Sequence, residues 1–164
     1  MRIIFLDTCT WLKLELLEKE QQFSTSILFS FCSIAITHKI KKELEHYSIP
    51  QEKINETIIY PIGDKAIYNY ALDSGFDDAD ASLLSNGKIK VEQLYLISED
   101  RAVLSFGRML KMEIMQLIDL FQNFTTQDII DKKKLYNLVK FLRNQKNITE
   151  KKKNNILNWL KTFK

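Results

Sequence analysis

The chain is poor in the residues that much enzyme chemistry depends on. Of its 164 residues only two are cysteine and two histidine. Cys9 and Cys32 have no CxxC spacing and no second cluster. That argues against a disulfide framework or a zinc site and suits a reducing compartment. His38 and His46 form no HExxH pair and lie near no serine or cysteine motif, so triad and zincin chemistry lose their support. Apolar runs fall far short of the ~20 residues a membrane span needs, and the first strand signal comes at the start of the chain with no leader before it. The expectation is a cytoplasmic protein that engages no membrane. No Gly-, Pro- or Ser-rich linker, internal repeat or low-complexity tract interrupts it, apart from the lysine triplets 132–134 and 151–153. Any catalysis therefore rests on carboxylates.

Charge is present but unevenly laid out. The net +3 combines a body, residues 1–130, holding 13 Lys/Arg against 19 Asp/Glu with a tail, residues 131–164, holding 11 against 2. An acidic body with a basic tail points to nucleic acid or another polyanion, and equally to a lysine-coated helix face.

Periodicity organises the body as alternating strands and helices. Residues 2–6 read as a strand buried on both faces. Helical spacing follows over 11–20, then a short helix capped by Ser24 through Ile27, Leu28 and Phe31, and a strand over 33–36. Thr37 caps a helix over 38–47, with Ile40, Leu44 and Tyr47 inward and Pro50 beyond its end. Residues 58–62 contain Pro61 and read as an edge strand or loop. Asp64 opens a helix that Gly75 stops; Asp77 or Asp78 opens another, with Gly87 past its end. A buried strand over 93–98, a helix over 102–111 and a short strand over 113–117 complete the alternation. The expected fold is α/β: a three-layer α/β/α sandwich on a central parallel sheet joined by right-handed crossovers. Two helical stripes follow, Leu135/Leu138/Val139/Leu142 and Ile156/Trp159/Leu160/Phe163, with 147–149 as turn and cap between them. They form a basic C-terminal helical hairpin. The expected organisation is a sandwich over 1–124 with an extension over 125–164 packed on it.

Four acids stand where ordinary patterning does not need them. Asp7 and Asp100 each follow a strand, at the edge of a parallel sheet where ligands bind; each also suits a helix cap, a task Thr8 or Thr10 can share with Asp7. Asp80 precedes Leu83, Leu84 and Gly87 on the apolar helix face, where a carboxylate is costly unless paired or metal-bound, although it also sits in an acid-favouring first turn. Glu43 borders the apolar stripe of its helix instead of joining the lysine face of Lys39, Lys41 and Lys42, and Lys39 is a ready salt-bridge partner for it. A single acidic pocket explains all four at once. Clustered carboxylates raise one another's pKa unless a cation neutralises them, and oxygen-only ligands select Mg²⁺ or Mn²⁺.

The ordered set Asp7 in FLDTCTWL, Thr37 and Glu43 in ITHKIKKELEHY, Asp80 in DDADASLL and Asp100 in LISEDRAVL resembles the PIN domain, a family of metal-dependent ribonucleases. The likeness spans residues 1 to about 120. It implies that Asp7, Glu43, Asp80 and Asp100 form a catalytic pocket for Mg²⁺ or Mn²⁺, supported by Ser98, with Thr8 and Thr37 beside it. It further implies endonucleolytic cleavage of RNA by a metal-activated water, as the toxin of a toxin–antitoxin pair with a small antitoxin partner or as an RNA-processing enzyme. Cys9 departs from the Ser or Asn common two residues after the first acid, Glu99 adds a fifth acid, and Asp77 or Asp78 replaces Asp80 if the register slips. Lys132, Lys133, Lys134, Lys151, Lys152 and Lys153 are expected to hold RNA, while the hairpin serves equally as a homodimer seam. Two alternatives stand beside the nuclease: a PIN-fold RNA-binding module without catalysis, and a haloacid-dehalogenase-like phosphatase, which wants an Asp where Cys9 stands.

Overall fold

A computed structural model describes residues 2–163. Its centre is a five-stranded, all-parallel sheet flanked by helices, the α/β/α sandwich that the alternating pattern predicts. The strands are β1 (Arg2–Leu6), β2 (Ser33–Thr37), β3 (Ile58–Tyr60), β4 (Gln93–Ile97) and β5 (Ile114–Met115), in the order β3-β2-β1-β4-β5. The central strand β1 pairs Ile4 with Ile34 on one side and with Tyr95 on the other. Its continuous apolar run follows from that position: Ile3, Ile4, Phe5 and Leu6 are all buried, as a strand covered on both faces requires. β3 is an edge strand that ends at Tyr60, immediately before Pro61.

Strand order decides where a ligand would sit. From β1 the chain winds outward through β2 to β3, then crosses back to place β4 on the other side of β1. The connections after β1 and β4 therefore diverge and leave a crevice at their carboxyl ends, the topological switch point of an open α/β sheet.

The helices are α1 (Thr8–Lys19), α2 (Thr25–Phe31), α3 (His38–His46), α4 (Gln51–Asn55), α5 (Lys65–Asp73), α6 (Asp78–Ser85), α7 (Arg101–Met109), α8 (Leu117–Thr126), α9 (Lys132–Asn144) and α10 (Glu150–Thr162). Their starts carry the caps read from sequence: Asp7, Thr37, Asp64, Asp77, Asp100 and Thr149 each accept a backbone N–H of the following first turn. Gly75, at φ +92°, supplies the left-handed residue after α5. Among the described residues no helix is long and apolar enough to cross a membrane.

Three expectations need correcting. α1 starts at Thr8, not residue 11, because Asp7 itself caps it through Thr10 N. A one-turn helix, α4, follows Pro50 and buries Ile54. The strand expected over 113–117 is only two residues long, because Leu117 opens α8, whose start is tied by Gln116 N donating to Asp119 Oδ2 at 3.3 Å. α8 buries Leu117, Ile118, Leu120, Phe121 and Phe124 and runs across residue 124, where the sandwich was expected to end. Each buried phenylalanine contributes about 2–3 kcal/mol. Leu135, Leu138, Val139, Leu142 and Ile156 of the hairpin belong to the same core as β1, so no apolar boundary separates hairpin from sandwich. Of the second stripe only Ile156 is fully buried; Trp159, Leu160 and Phe163 are half-buried.

Candidate functional site

The crevice at the ends of β1 and β4 receives one acid from each strand. Asp7 is 4% exposed. Its Oδ1 accepts Thr10 N at 2.6 Å and its Oδ2 accepts Glu99 N at 3.2 Å, so one carboxylate caps α1 and bridges to the loop after β4. Asp100 caps α7 through Oδ1, which accepts Ala102 N at 2.6 Å and Val103 N at 3.1 Å. Its own N–H donates to the fully buried Ser98 Oγ at 3.1 Å. Ser98 thus holds the backbone of Asp100 at the start of α7. Capping and site placement are not rival readings for either residue, since the same side chain does both.

The other two acids arrive on helices. Thr8 Oγ1 donates a short hydrogen bond to Glu43 Oε2, tying the start of α1 to α3. Lys39, the salt-bridge partner sequence offered for Glu43, binds Asp78 Oδ2 instead, at 2.6 Å. Thr37 Oγ1 accepts Ile40 N at 3.2 Å and lies 2.6 Å from Ser82 Oγ. Because Ser82 gives its hydroxyl hydrogen to Ala79 O, Thr37 is the donor of that pair, and it locks α3 to α6. Asp77 caps α6 by accepting Asp80 N at 2.9 Å, which sets Asp80 in the first turn.

All four acids line one cavity of about 500 Å³, together with Thr8, Cys9, Leu12, Ile40, Lys42 and Asp77. Electrostatics register the crowding. The Asp80 carboxyl is pushed up to about 7, first by burial and then by the negative charges of Asp77, Asp7, Asp100 and Glu43. The Cys9 thiol is raised by its partial enclosure and by Asp7, Asp80, Asp100 and Glu43. Asp80 accepts no side-chain hydrogen bond among the described residues, and Asp100 Oδ2 and Glu43 Oε1 are likewise uncommitted. The donor set is oxygen-only and suits a hard divalent cation. As the side chains stand, no three His, Cys, Asp or Glu groups among the described residues are close enough together to hold one, so binding would require the carboxylates to draw inward.

Two further acids are sorted by their partners. Glu99 turns away from the cavity: its Oε2 pairs with Lys13 and its Oε1 accepts Leu117 N at 2.9 Å. Asp78 is held by Lys39 and by Tyr68 Oη at 2.6 Å, and these hydrogen bonds pull its carboxyl below the usual range. Asp77, by contrast, lines the cavity. Lys42, His46 and Tyr47 line it too; Lys42 was expected on the lysine face, and Tyr47, expected inward beside Ile40 and Leu44, is instead 54% exposed at the cavity's edge. For His46 and Tyr47 the signal was the register of α3, since they follow Glu43 at i+3 and i+4.

The six expected RNA-binding lysines do not share one surface. Lys152 lines a second cavity, pairing there with Asp119. Lys153 pairs with Glu150 at 2.5 Å. Lys132 and Lys133 line a separate groove with Tyr136, Leu157 and Leu160, and Lys132 donates to Phe163 O at 2.5 Å. Lys134 is half-buried and Lys151 exposed. The chain matches no protein-family model, no curated protein and no solved structure.

Proposed function

We propose that this chain is a PIN-type endoribonuclease that hydrolyses RNA phosphodiester bonds with Mg²⁺ or Mn²⁺ held by Asp7, Glu43, Asp80 and Asp100. The observation that carries the reading is that four carboxylates, supplied by four separate elements, line one cavity at the switch point of a parallel sheet. A bound ion of this kind supplies Lewis-acid polarisation of the scissile phosphate and a more acidic water. The chain's own part is preorganisation. Asp7 and Asp100 are each oriented by two backbone amides, and Thr8 restrains Glu43, so the inward movement that an ion requires starts from carboxylates with a defined direction. Asp80, whose carboxylate accepts no hydrogen bond among the described residues, is the acid with latitude to move.

The test is cleavage of single-stranded RNA with Mg²⁺ or Mn²⁺. Asp100→Asn removes charge and keeps the one oxygen that both α7 cap bonds use, whereas Asp7→Asn keeps a single acceptor and sets its NH2 against one of the two backbone amides, so its folding is checked by circular dichroism; each is expected to lose on the order of 100-fold in rate. Equal activity in wild type and both variants rejects the pocket. The same chemistry serves a toxin silenced by a small antitoxin or an RNA-processing enzyme; growth arrest on expression of wild type but not of Asp7→Asn assigns the toxin.

A second reading, an RNA-binding module without cleavage, is favoured by the separation of the potential ligands and by Cys9, a weaker hydrogen-bond donor than a hydroxyl. Salt-sensitive RNA binding with no metal-dependent cleavage selects it.

A further inference from the structure

The acidic cavity has a larger neighbour. A cleft of about 1000 Å³ lies beside it and shares two residues with it, Cys9 and Leu12. Three walls form the cleft. α1 presents Cys9, Leu12, Lys13 and Leu16, at i, i+3, i+4 and i+7; α7 presents Arg101, Leu104, Ser105 and Arg108 at the same spacing; the end of α9, the turn after it and the start of α10 close it with Arg143, Lys146 and Lys152 in that order.

Its charge is opposite to that of its neighbour. Six cationic side chains line it, Lys13, Arg101, Arg108, Arg143, Lys146 and Lys152, against two carboxylates, Glu99 and Glu150. Some of that charge is internally spent: Lys13 binds Glu99, Lys152 binds Asp119, and Arg143 Nε gives one bond to Glu150 at 2.7 Å. Arg101, Arg108 and Lys146 form no ion pair among the described residues, and all three are exposed. Arg101 and Arg108 stand about 10 Å apart along α7. Arg101 directly follows Asp100, so one end of this cationic line abuts the acidic cavity. No aromatic side chain lines the cleft among the described residues, so it offers no platform for stacking bases.

We infer that this cleft is the seat of a single-stranded phosphodiester chain, gripped at its phosphates by Arg101, Arg108 and Lys146 and led past Cys9 into the acidic cavity. The inference rests on the nuclease reading for the direction of the strand, but the binding itself does not. Because the contacts are to phosphate alone, RNA and DNA of equal length bind the cleft alike, and discrimination between them belongs elsewhere. This path runs along α7 and the hairpin turn, on a different surface from the Lys132/Lys133 groove.

The experiment measures fluorescence anisotropy of labelled 12-mer RNA and DNA with the full chain in chelator, so that no cleavage occurs, across a salt series. Arg101→Gln with Arg108→Gln is expected to weaken both ligands on the order of tenfold near 0.1 M salt and to lower the salt slope by about 1.4, two phosphate contacts at ~0.7 each. Lys146→Asn, which suits the left-handed backbone at residue 146 (φ +58°), tests the opposite wall independently of α7 and is expected to lower the slope by about 0.7. Lys132→Gln with Lys133→Gln is the comparison, expected to lose less than the arginine pair. Unchanged slopes in the arginine pair and in Lys146→Asn overturn the inference, as does a loss at least as large in the Lys132/Lys133 pair. A loss confined to RNA or to DNA overturns the phosphate-only grip. Wild type that cleaves with Mg²⁺ while the cleft variants bind normally keeps the nuclease and removes the cleft; cleft variants that bind weakly in a chain that never cleaves do the reverse.

Discussion

Replacing Asp80 by Asn should make the metal-free protein more stable while abolishing cleavage. Asp80 is raised from 3.8 to about 7 by burial and neighbouring carboxylates. Undiscounted, three pKa units correspond to about 4 kcal/mol. The group is half-buried, so solvent screening reduces this to about 2 kcal/mol. The sign follows from the two states. Below about pH 4 the carboxyl is protonated folded and unfolded, and nothing is lost. Between about pH 4 and 7 the unfolded chain releases its proton first, so stability falls as pH rises, and above about 7 the loss is complete and constant. Asn removes the ionisation at the cost of a first-turn charge worth about 0.5 kcal/mol at the helix dipole, too little to reverse the gain. At about 2–4 °C per kcal/mol, Asp80→Asn is expected to raise Tm by roughly 3–6 °C at pH 8, with the gap closing toward pH 4. Thermal denaturation in chelator measures it. Adding Mg²⁺ is expected to raise the wild type and leave the variant where it was. A Tm at pH 8 that is unchanged or lower in the variant, or a gap indifferent to pH, refutes the crowding of charge inferred from the cavity.

Three other expectations are independent of that one. Lys13→Met strips the partner from Glu99 in an ion pair whose side chains are only 7% and 12% exposed, and should cost about 3–5 kcal/mol in denaturant unfolding; adding Glu99→Gln should recover most of it, and failure to recover means the lysine acts by packing. Thr8→Val deletes the donor to Glu43, and is expected to slow cleavage about tenfold while shifting stability by about 1 kcal/mol; a stability loss without a rate loss would make the bond structural only. Cys9, its thiol raised by enclosure and by four acids, should alkylate slowly at pH 8 and several-fold faster once Mg²⁺ neutralises those charges, a readout of metal binding that needs no turnover; identical rates with and without metal count against ion binding beside it.

Much of the architecture was legible because local signals and burial agree in this chain. The apolar run of β1, the caps at Thr37 and Asp64, and the interrupting Pro61 each carry a mechanism visible in a few residues. Convergence of the four acids was also legible, since strand ends and the helix starts after them meet at one edge of a parallel sheet. Illegible were the features that depend on which strand lies beside which. The order β3-β2-β1-β4-β5, and with it the crevice between Asp7 and Asp100, has no local signature. The start of α8 hid inside Ile114 to Ile118, where Gln116 alone interrupts apolar residues that read equally as strand. Lys42 is solvated charge, as its lysine-rich face suggests, yet it also lines the acidic cavity, and the cationic cleft joins residues more than 40 positions apart in the sequence.

The shared core of sandwich and hairpin fixes how the cleft behaves when a ligand approaches. A flap on a flexible tether would have to close over an incoming strand, and immobilising it would subtract from affinity. Here the turn carrying Lys146 is anchored through Leu142 and Ile148, both buried, so the opposing walls are already at working distance. Backbone freedom is then surrendered by the nucleic acid, while the protein gives up only the rotamers of its exposed arginine and lysine side chains. Capture should proceed in a single kinetic phase, with a rate that responds to ionic strength and not to any rearrangement of the protein.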